Sequence, residues 1–309
     1  MKLGIGITTF SWPADEIGPA VARLATSADE AGVDSLWVMD HFFQIRLSGL
    51  PPESPMPEAY ATLAFLGGLT RRIRLGTLVT SVAYRHPGVL IKAVTSLDVL
   101  TGGRVIFGVG AGAPWNVEPA GPGTAFEAEG LGIPFPSLAE RFERLEELLQ
   151  IAHQMWRGDE SPYAGRHYQL VRLLNSPNSL QRPHPPILIG GSGERKTLRL
   201  VARYGDACNL FDMRNTSFHD DLEHKLRVLR DHCAEVGRDS TEISKTVTTA
   251  FDLGEDRQAG LADLLDHVRE LATLGIDHVL VSPRRSWDEA TLDAIMSILP
   301  EIHALEPRA

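Results

Sequence analysis

The sequence predicts an α/β protein of the (β/α)8 TIM-barrel class, and three features of the chain predict it. Eight short runs rich in β-branched and apolar residues recur, at 3–8, 35–39, 73–79, 105–109, 187–189, 207–210, 243–249 and 279–281. Most are continuous apolar runs rather than alternating ones, as parallel strands covered by helices require. Longer stretches with a 3.6-residue apolar period lie between them, and several end in a glycine that leads directly into the next strand.

In the first helical stretch Ile17, Val21, Leu24, Ala28 and Ala31 share one face; in a later one Leu138, Phe142, Leu145, Leu149 and Ala152 do. Ser137 with Glu140 forms a capping box at the start of the latter. Gly32, Gly205 and Gly275 each close a helix before a strand, where the left-handed conformation favours glycine. Repetition of this joint is what a barrel of like units shows, while a doubly wound open sheet is the rival with the same alternation of elements. Two stretches break the repeat. Residues 113–136 are rich in Gly and Pro, and 157–186 contain a strand pair around Tyr163 to Tyr168. Both read as insertions, after the fourth strand and before the fifth, where a barrel carries its active face.

The 309 residues read as one domain, 1–309, a size that α/β barrels routinely fill. A formal net charge of -10 argues against a broad nucleic-acid footprint and against binding to an anionic membrane surface. It leaves room for a local phosphate site, since a few backbone N–H groups suffice. The two cysteines, Cys208 and Cys233, build no disulfide framework and fit a reducing compartment. The start, Met1-Lys2-Leu3-Gly4-Ile5-Gly6, lacks the pattern of a signal peptide, and no apolar run is long enough to span a bilayer. The expectation is a soluble cytoplasmic protein.

Asp40-His41 falls just past the run at 35–39, which in a barrel is the catalytic face. A histidine there exchanges protons near neutral pH and a neighbouring carboxylate orients it; a histidine that merely caps the strand end fits the same spacing. Gly108-Val109-Gly110-Ala111-Gly112-Ala113 matches the dinucleotide fingerprint superficially, but Pro114, Pro119 and Pro122 follow where a helix must begin, so that reading fails. Close approach of another group to the backbone explains the glycines as well. Gly190-Gly191-Ser192-Gly193 lies between a strand and a helix beginning near Glu194, and offers either an anion cradle or an ordinary flexible turn. His219, His224 and His232 complete no ligand set, so no metal site is expected. No G-x-S-x-G elbow is present, which weakens hydrolase readings.

Together these segments resemble the bacterial luciferase-like superfamily, and specifically its coenzyme F420 (deazaflavin)-dependent branch. The resemblance rests on Asp40-His41-Phe42-Phe43-Gln44-Ile45, Arg74-Leu75-Gly76-Thr77-Leu78-Val79-Thr80, Tyr84-Arg85-His86-Pro87 and Leu97-Asp98-Val99-Leu100-Thr101-Gly102-Gly103-Arg104. Gly108 to Gly112, Glu140-Arg141-Phe142, Gly165-Arg166-His167-Tyr168 and Arg182-Pro183-His184-Pro185-Pro186-Ile187 extend it. It implies that His41 stands beside the cofactor ring as the catalytic proton carrier, with Asp40 next to it. Leu78-Val79 would be a non-proline cis peptide whose bulge backs the ring, followed by Thr80. Gly110 and Asn116 join the cofactor residues by the same likeness, and Gly190, Gly191, Ser192, Gly193 and Glu194 would hold the phosphate. Glu118 is the candidate for an acid catalyst.

The resemblance implies hydride transfer between coenzyme F420 and a small organic substrate, by a protein that forms homodimers. A deazaflavin does not activate oxygen, so the barrel need only stack the substrate, supply a proton and exclude water. Two alternatives stay open: a flavin mononucleotide (FMN)-dependent monooxygenase of the same fold, and a barrel that binds a cofactor without chemistry. Residues 113–136, 157–186 and Ser282-Pro283-Arg284-Arg285 are expected to shape the substrate pocket.

Overall fold

The computed structural model describes residues 1–45, 50–112, 124–212, 219 and 221–308. Its strands are β1 (Lys2–Ile7), β2 (Ser35–Val38), β3 (Arg74–Thr77), β4 (Thr80–Ser81), β5 (Val105–Gly110), β6 (Tyr163–Ala164), β7 (Gln169–Leu170), β8 (Ile187–Gly190), β9 (Ala207–Asp212), β10 (Ser244–Phe251) and β11 (His278–Pro283). Between them lie α1 (Ala14–Ala31), α2 (Ala59–Leu69), α3 (Pro87–Leu100), α4 (Thr124–Gly130), α5 (Leu138–Trp156), α6 (Thr197–Tyr204), α7 (Leu222–Glu235), α8 (Arg257–Thr273) and α9 (Glu289–His303). The main sheet runs β3-β2-β1-β11-β10-β9-β8-β5-β4, and β3 also pairs with β5. With β3 and β4 as two segments of one barrel strand, this is the closed eight-stranded parallel barrel, and the doubly wound alternative falls. Among the described residues no helix is long and apolar enough to cross a membrane.

The chain divides into two compact units, which we describe in turn. The first comprises Met1–Trp37, Leu69–Arg74 and Leu188–Ala309. Its strands are in parallel register, with Leu3 opposite Val279, Val247 opposite Val279, Val247 opposite Leu210 and Leu188 opposite Ala207. Leu3, Ile5, Val247, Val279 and Val281 are fully enclosed, and the runs of β1 and β11 are accordingly mostly apolar. Gly6 leaves room for the Ser282 hydroxyl, which donates to the Gly6 carbonyl at 3.1 Å, and the Trp287 indole donates to the same carbonyl at 2.8 Å. The buried carboxylate of Asp29 accepts the backbone N–H groups of Arg71, Arg72 and Ile73 at 2.6–2.8 Å. Burial pushes its pKa up, and these three donors outweigh that and hold it below the ordinary value.

The second unit comprises Val38–Gly68 and Leu75–Ile187. Here Leu75 and Gly76 pair with Val105 and Ile106, while Thr80 and Ser81 pair with Val109 and Gly110. Three residues, Thr77 to Val79, therefore stand opposite only Phe107 and Gly108, so the strand expected at 73–79 is interrupted by a bulge. At the Phe107–Gly108 position the two backbones come so close that a Cβ on Gly108 would run into the Thr77 carbonyl oxygen. Close approach accounts for that glycine. Asp98, also fully buried, accepts from the backbone of Leu180 and Gln181 and from the Gln181 amide, at 2.7–3.2 Å. β6 and β7 form the antiparallel pair expected near Tyr163; Glu147 accepts the N–H groups of Arg166, His167 and Tyr168 and so holds the turn between them.

Several local expectations need correction. Gly32 and Gly275 are left-handed, at φ 89 and 84, but Gly205 closes α6 in an extended conformation, at φ -88. It is glycine because a Cβ would crowd the Val201 and Ala207 carbonyls at 3.2–3.3 Å. Ala31 and Leu138 are exposed; the buried faces centre on Ala25, Ala28 and Asp29 in α1 and on Leu145, Leu148 and Leu149 in α5. The capping box is half-made: Ser137 caps Glu140, but the Glu140 carboxylate turns to Arg144 at 2.8 Å.

A fully enclosed polar relay ties β2 to β11 within the first unit. Trp37 donates to Ser35 Oγ at 2.7 Å, and Ser35 Oγ meets His278 Nε2 at 3.0 Å. Burial drives the His278 pKa from its ordinary 6.5 down to about 3, because the charged imidazole loses its hydration there. The folded chain therefore leaves His278 neutral where the unfolded chain protonates it. From this residue stability rises with pH between about 3 and 6.5, and it is lost as pH falls through that window. Denaturant unfolding at stepped pH is expected to show this slope, at most about 1.4 kcal/mol per pH unit, and His278→Gln is expected to flatten it. An unchanged slope in the variant would contradict the assignment.

Candidate active site

The chain leaves β2 through Val38, whose carbonyl accepts the Leu78 N–H at 2.9 Å, and the next residues are Asp40 and His41. His41 Nδ1 lies 2.5 Å from Glu127 Oε1 on α4. The other Glu127 oxygen accepts the Phe42 N–H at 2.6 Å and the Phe43 N–H at 3.3 Å. Glu127 is 1% exposed and His41 19% exposed. Ring contact between Phe43 and Phe126, at 5.8 Å between centroids, seats α4 on this segment. Gly130 gives Phe43 its space, since a Cβ there would lie 2.9 Å from the ring. A buried carboxylate accepting from Nδ1–H leaves Nε2 to face outward, and Nε2 makes no hydrogen bond within the described residues.

Asp40, expected beside the histidine as a cofactor residue, is enclosed and does not orient His41. Both of its oxygens receive the Arg85 guanidinium, at 2.5 and 2.9 Å. Arg85 also pairs with Glu58 and lies over the Tyr60 ring, 4.8 Å from its centroid. Burial works against the Arg85 charge, but its bonds to Asp40 outweigh this and push its pKa up. Burial, and then the Asp40 charge, push the Tyr60 phenol up as well. Tyr60 shares a hydrogen bond with Thr80 at 2.8 Å, Thr80 donates to Thr77 at 3.0 Å, and Thr77 donates to the Gly108 carbonyl at 2.8 Å. Thr80 is therefore buried, with its hydroxyl engaged inside the protein.

Leu78–Val79 is a non-proline cis peptide, and both residues are half-buried at the bulge. Gly110 is buried, pairs with Ser81 and accepts the Val82 N–H at 3.0 Å. Asn116 and Glu118 lie outside the described residues.

In the other unit, Gly190 ends β8 and the Gly191 N–H donates to the Asn209 carbonyl at 3.0 Å, so that N–H is already used. Gly191 has φ 120 and Gly193 has no space for a side chain, since a Cβ would lie 2.9 Å from Thr197 Oγ1. Helix α6 starts at Thr197, later than the Glu194 start expected. The Glu194 carboxylate is paired with Lys225 and lies 3.3 Å from His224 Nε2, which pairs it internally rather than with a ligand.

Glu127 is the residue that sequence reasoning missed. It lies 86 positions from His41 beyond a Gly- and Pro-rich stretch, and a lone acidic residue in a short helix carries no local signal. The cysteines are no nucleophiles: burial lifts Cys208 to about 11 and raises Cys233 as well.

Fold and site together define the class: a β/α barrel with a histidine–carboxylate pair beyond its second strand. A family model for luciferase-like monooxygenases matches residues 1–301, and the chain belongs to that family. A curated relative, the F420-dependent glucose-6-phosphate dehydrogenase of Nakamurella multipartita, is 31% identical over 81% of this chain and 68% of its own. Among solved structures, an F420-dependent secondary alcohol dehydrogenase in complex with an F420–acetone adduct aligns with TM-score 0.78 at 16% identity, over 97% of this chain and 98% of that one. The monooxygenase RslO1 from Streptomyces bottropensis aligns with TM-score 0.76 at 22% identity, over 98% and 100%.

Removing Arg85 would leave the Asp40 carboxylate buried without its partner. Arg85→Ala is expected to cost about 3–5 kcal/mol in denaturant unfolding, and a loss below about 1 kcal/mol would mean that Asp40 is not held by this pair. Gly108→Ala is expected to cost about 1–3 kcal/mol, since the Thr77 backbone must move to admit a Cβ; an unchanged midpoint would contradict the close approach.

Proposed function

We propose that this chain is an oxidoreductase that exchanges hydride between coenzyme F420 and a small organic substrate. The observation that carries the reading is the His41–Glu127 pair: a carboxylate that is almost fully buried holds Nδ1, and Nε2 has no partner among the described residues. The 31% identical relative is named as an F420-dependent dehydrogenase, which favours the deazaflavin over FMN.

The residues present suit such a cofactor. The turn Gly190 to Glu194 has no side chain at Gly191 or Gly193, which lets a phosphate approach its backbone, with the Gly191 N–H itself bonded to Asn209. Leu78, Val79 and His41 are the half-exposed members of the ring-side set, while Asp40, Thr80 and Gly110 are buried. When bound, the deazaflavin supplies a ring carbon that accepts or releases hydride. His41 moves the accompanying proton at Nε2, and Glu127 fixes the ring and compensates the charge that His41 takes on.

The family match over residues 1–301 supports reading the chain as one domain. Buried, unpaired Cys208 and Cys233 support a cytoplasmic location. Phe65 on α2, with Val89 and Leu100 on α3, are 47%, 65% and 77% exposed, which supports a homodimer through these helices.

An anaerobic assay following deazaflavin absorbance against a panel of alcohols, imines, enones and glucose 6-phosphate tests the proposal. Turnover of at least one substrate class is expected. His41→Ala is expected to lower kcat by about 10²–10⁴ while deazaflavin affinity changes little. Turnover that survives intact in His41→Ala, or no turnover and no deazaflavin binding by the native chain, would overturn it.

A further inference from the structure

Away from the histidine–carboxylate pair, the first unit brings His267 to Asp212 and His219, two residues that lie close together in sequence. Asp212 ends β9, His267 lies in α8, and His219 follows β9. Strand alternation puts Asp212 on the same side of β9 as Cys208 and Leu210, whereas Asn209 on the other side bonds to Thr246 at 2.9 Å. Asp212 Oδ2 approaches His267 Nε2 at 2.6 Å, and Asp212 Oδ1 approaches His219 Nδ1 at 3.1 Å. One ligand atom from each of the three residues lies within 4.8 Å of the others, a spacing that a single cation can bridge.

The buried chemistry of this cluster is incomplete. The Asp212 side chain is fully enclosed and that of His267 is 4% exposed. Even so, Asp212 Oδ2 and both His267 ring nitrogens lack a hydrogen bond of acceptable geometry. The 2.6 Å approach thus brings two polar atoms close without aligning a ring N–H with the carboxylate oxygen. Buried polar groups are almost always satisfied, and a carboxylate oxygen and one imidazole left in this condition, with the His219 imidazole on the other carboxylate oxygen, match the donor set of a bound cation. His267 Nδ1 has Glu270 Oε2 at 3.5 Å, the place of the outer carboxylate that orients a metal-bound histidine. The His219 side chain, 25% exposed, leaves a route from solvent.

We propose that Asp212, His219 and His267 form a structural site for one divalent cation of zinc type, which ties the C-terminal end of β9 to α8. Two imidazole nitrogens and one carboxylate are the borderline N/O set that zinc takes, with a water in the fourth position. His224 belongs to a separate, exposed group with Glu194 and Asp221, where Lys225 already pairs with both carboxylates, so that group does not take part.

The test uses the full chain without a histidine tag, stripped with chelator and dialysed, then titrated with Zn²⁺ against a chromophoric chelator. One equivalent is expected to bind, raising the thermal midpoint. Asp212→Asn and His219→Gln are each expected to weaken binding more than about tenfold, and Glu270→Gln by about tenfold, with His224→Gln unchanged. Co²⁺ in place of zinc is expected to show visible ligand-field bands that His219→Gln abolishes. Since Asp212 and His267 are buried and their variants can misfold, the partly exposed His219→Gln decides. Absence of stoichiometric binding to the native chain, or a folded His219→Gln that binds zinc and cobalt as the native chain does, would overturn the proposal.

Discussion

Glu127 binds His41 through one oxygen and the backbone of Phe42 and Phe43 through the other. The rest of the site depends on this bond set. A histidine on an irregular segment after a strand would otherwise choose among several rotamers and two tautomers. A buried carboxylate on Nδ1 removes that freedom and leaves a single nitrogen for chemistry. The same carboxylate satisfies two backbone N–H groups that the end of β2 leaves without a sheet partner, so the site and the local fold share one anchor. Phe126 and Gly130 seat its short helix against Phe43.

Beneath that anchor runs a polar chain that no ligand needs to complete. Asp40, Arg85, Tyr60, Thr80 and Thr77 are linked in sequence and end on the Gly108 carbonyl. Buried charges and hydroxyls of this kind are costly alone and acceptable as a closed set. Their effect is to fix the position of the bulge at Leu78–Val79, which stays half-exposed while its support is enclosed. Asp40, beside His41, and Thr80, after the bulge, are both buried and bonded within this chain.

Strand and helix placement was legible because it follows from local period: most of the eight runs are continuous apolar segments, and all eight became barrel strands. Gly32 and Gly275 were legible because the left-handed helix end has a chemical signature. Gly205 was not, since carbonyl crowding from Val201 and Ala207 exists only in the folded chain. The Gly108 run was readable as not a dinucleotide turn, yet its actual reason, the Thr77 carbonyl on a neighbouring strand, is equally non-local. The histidine of the site was visible at the strand end. The adjacent Asp40 offered itself as the orienting carboxylate, and Glu118 was a candidate for an acid catalyst. The partner is Glu127, because a pairing across 86 residues leaves no periodic trace. His219 was weighed with His224 and His232, whereas its neighbours in the fold are Asp212 on β9 and His267 on α8.

The account stands or falls on which cofactor the chain accepts. Parallel titrations of the purified protein with coenzyme F420 and with FMN, followed by absorbance and fluorescence, measure that directly. Saturable binding of F420, with FMN bound much more weakly, is the predicted result. Tight binding of FMN with no response to F420 would contradict it.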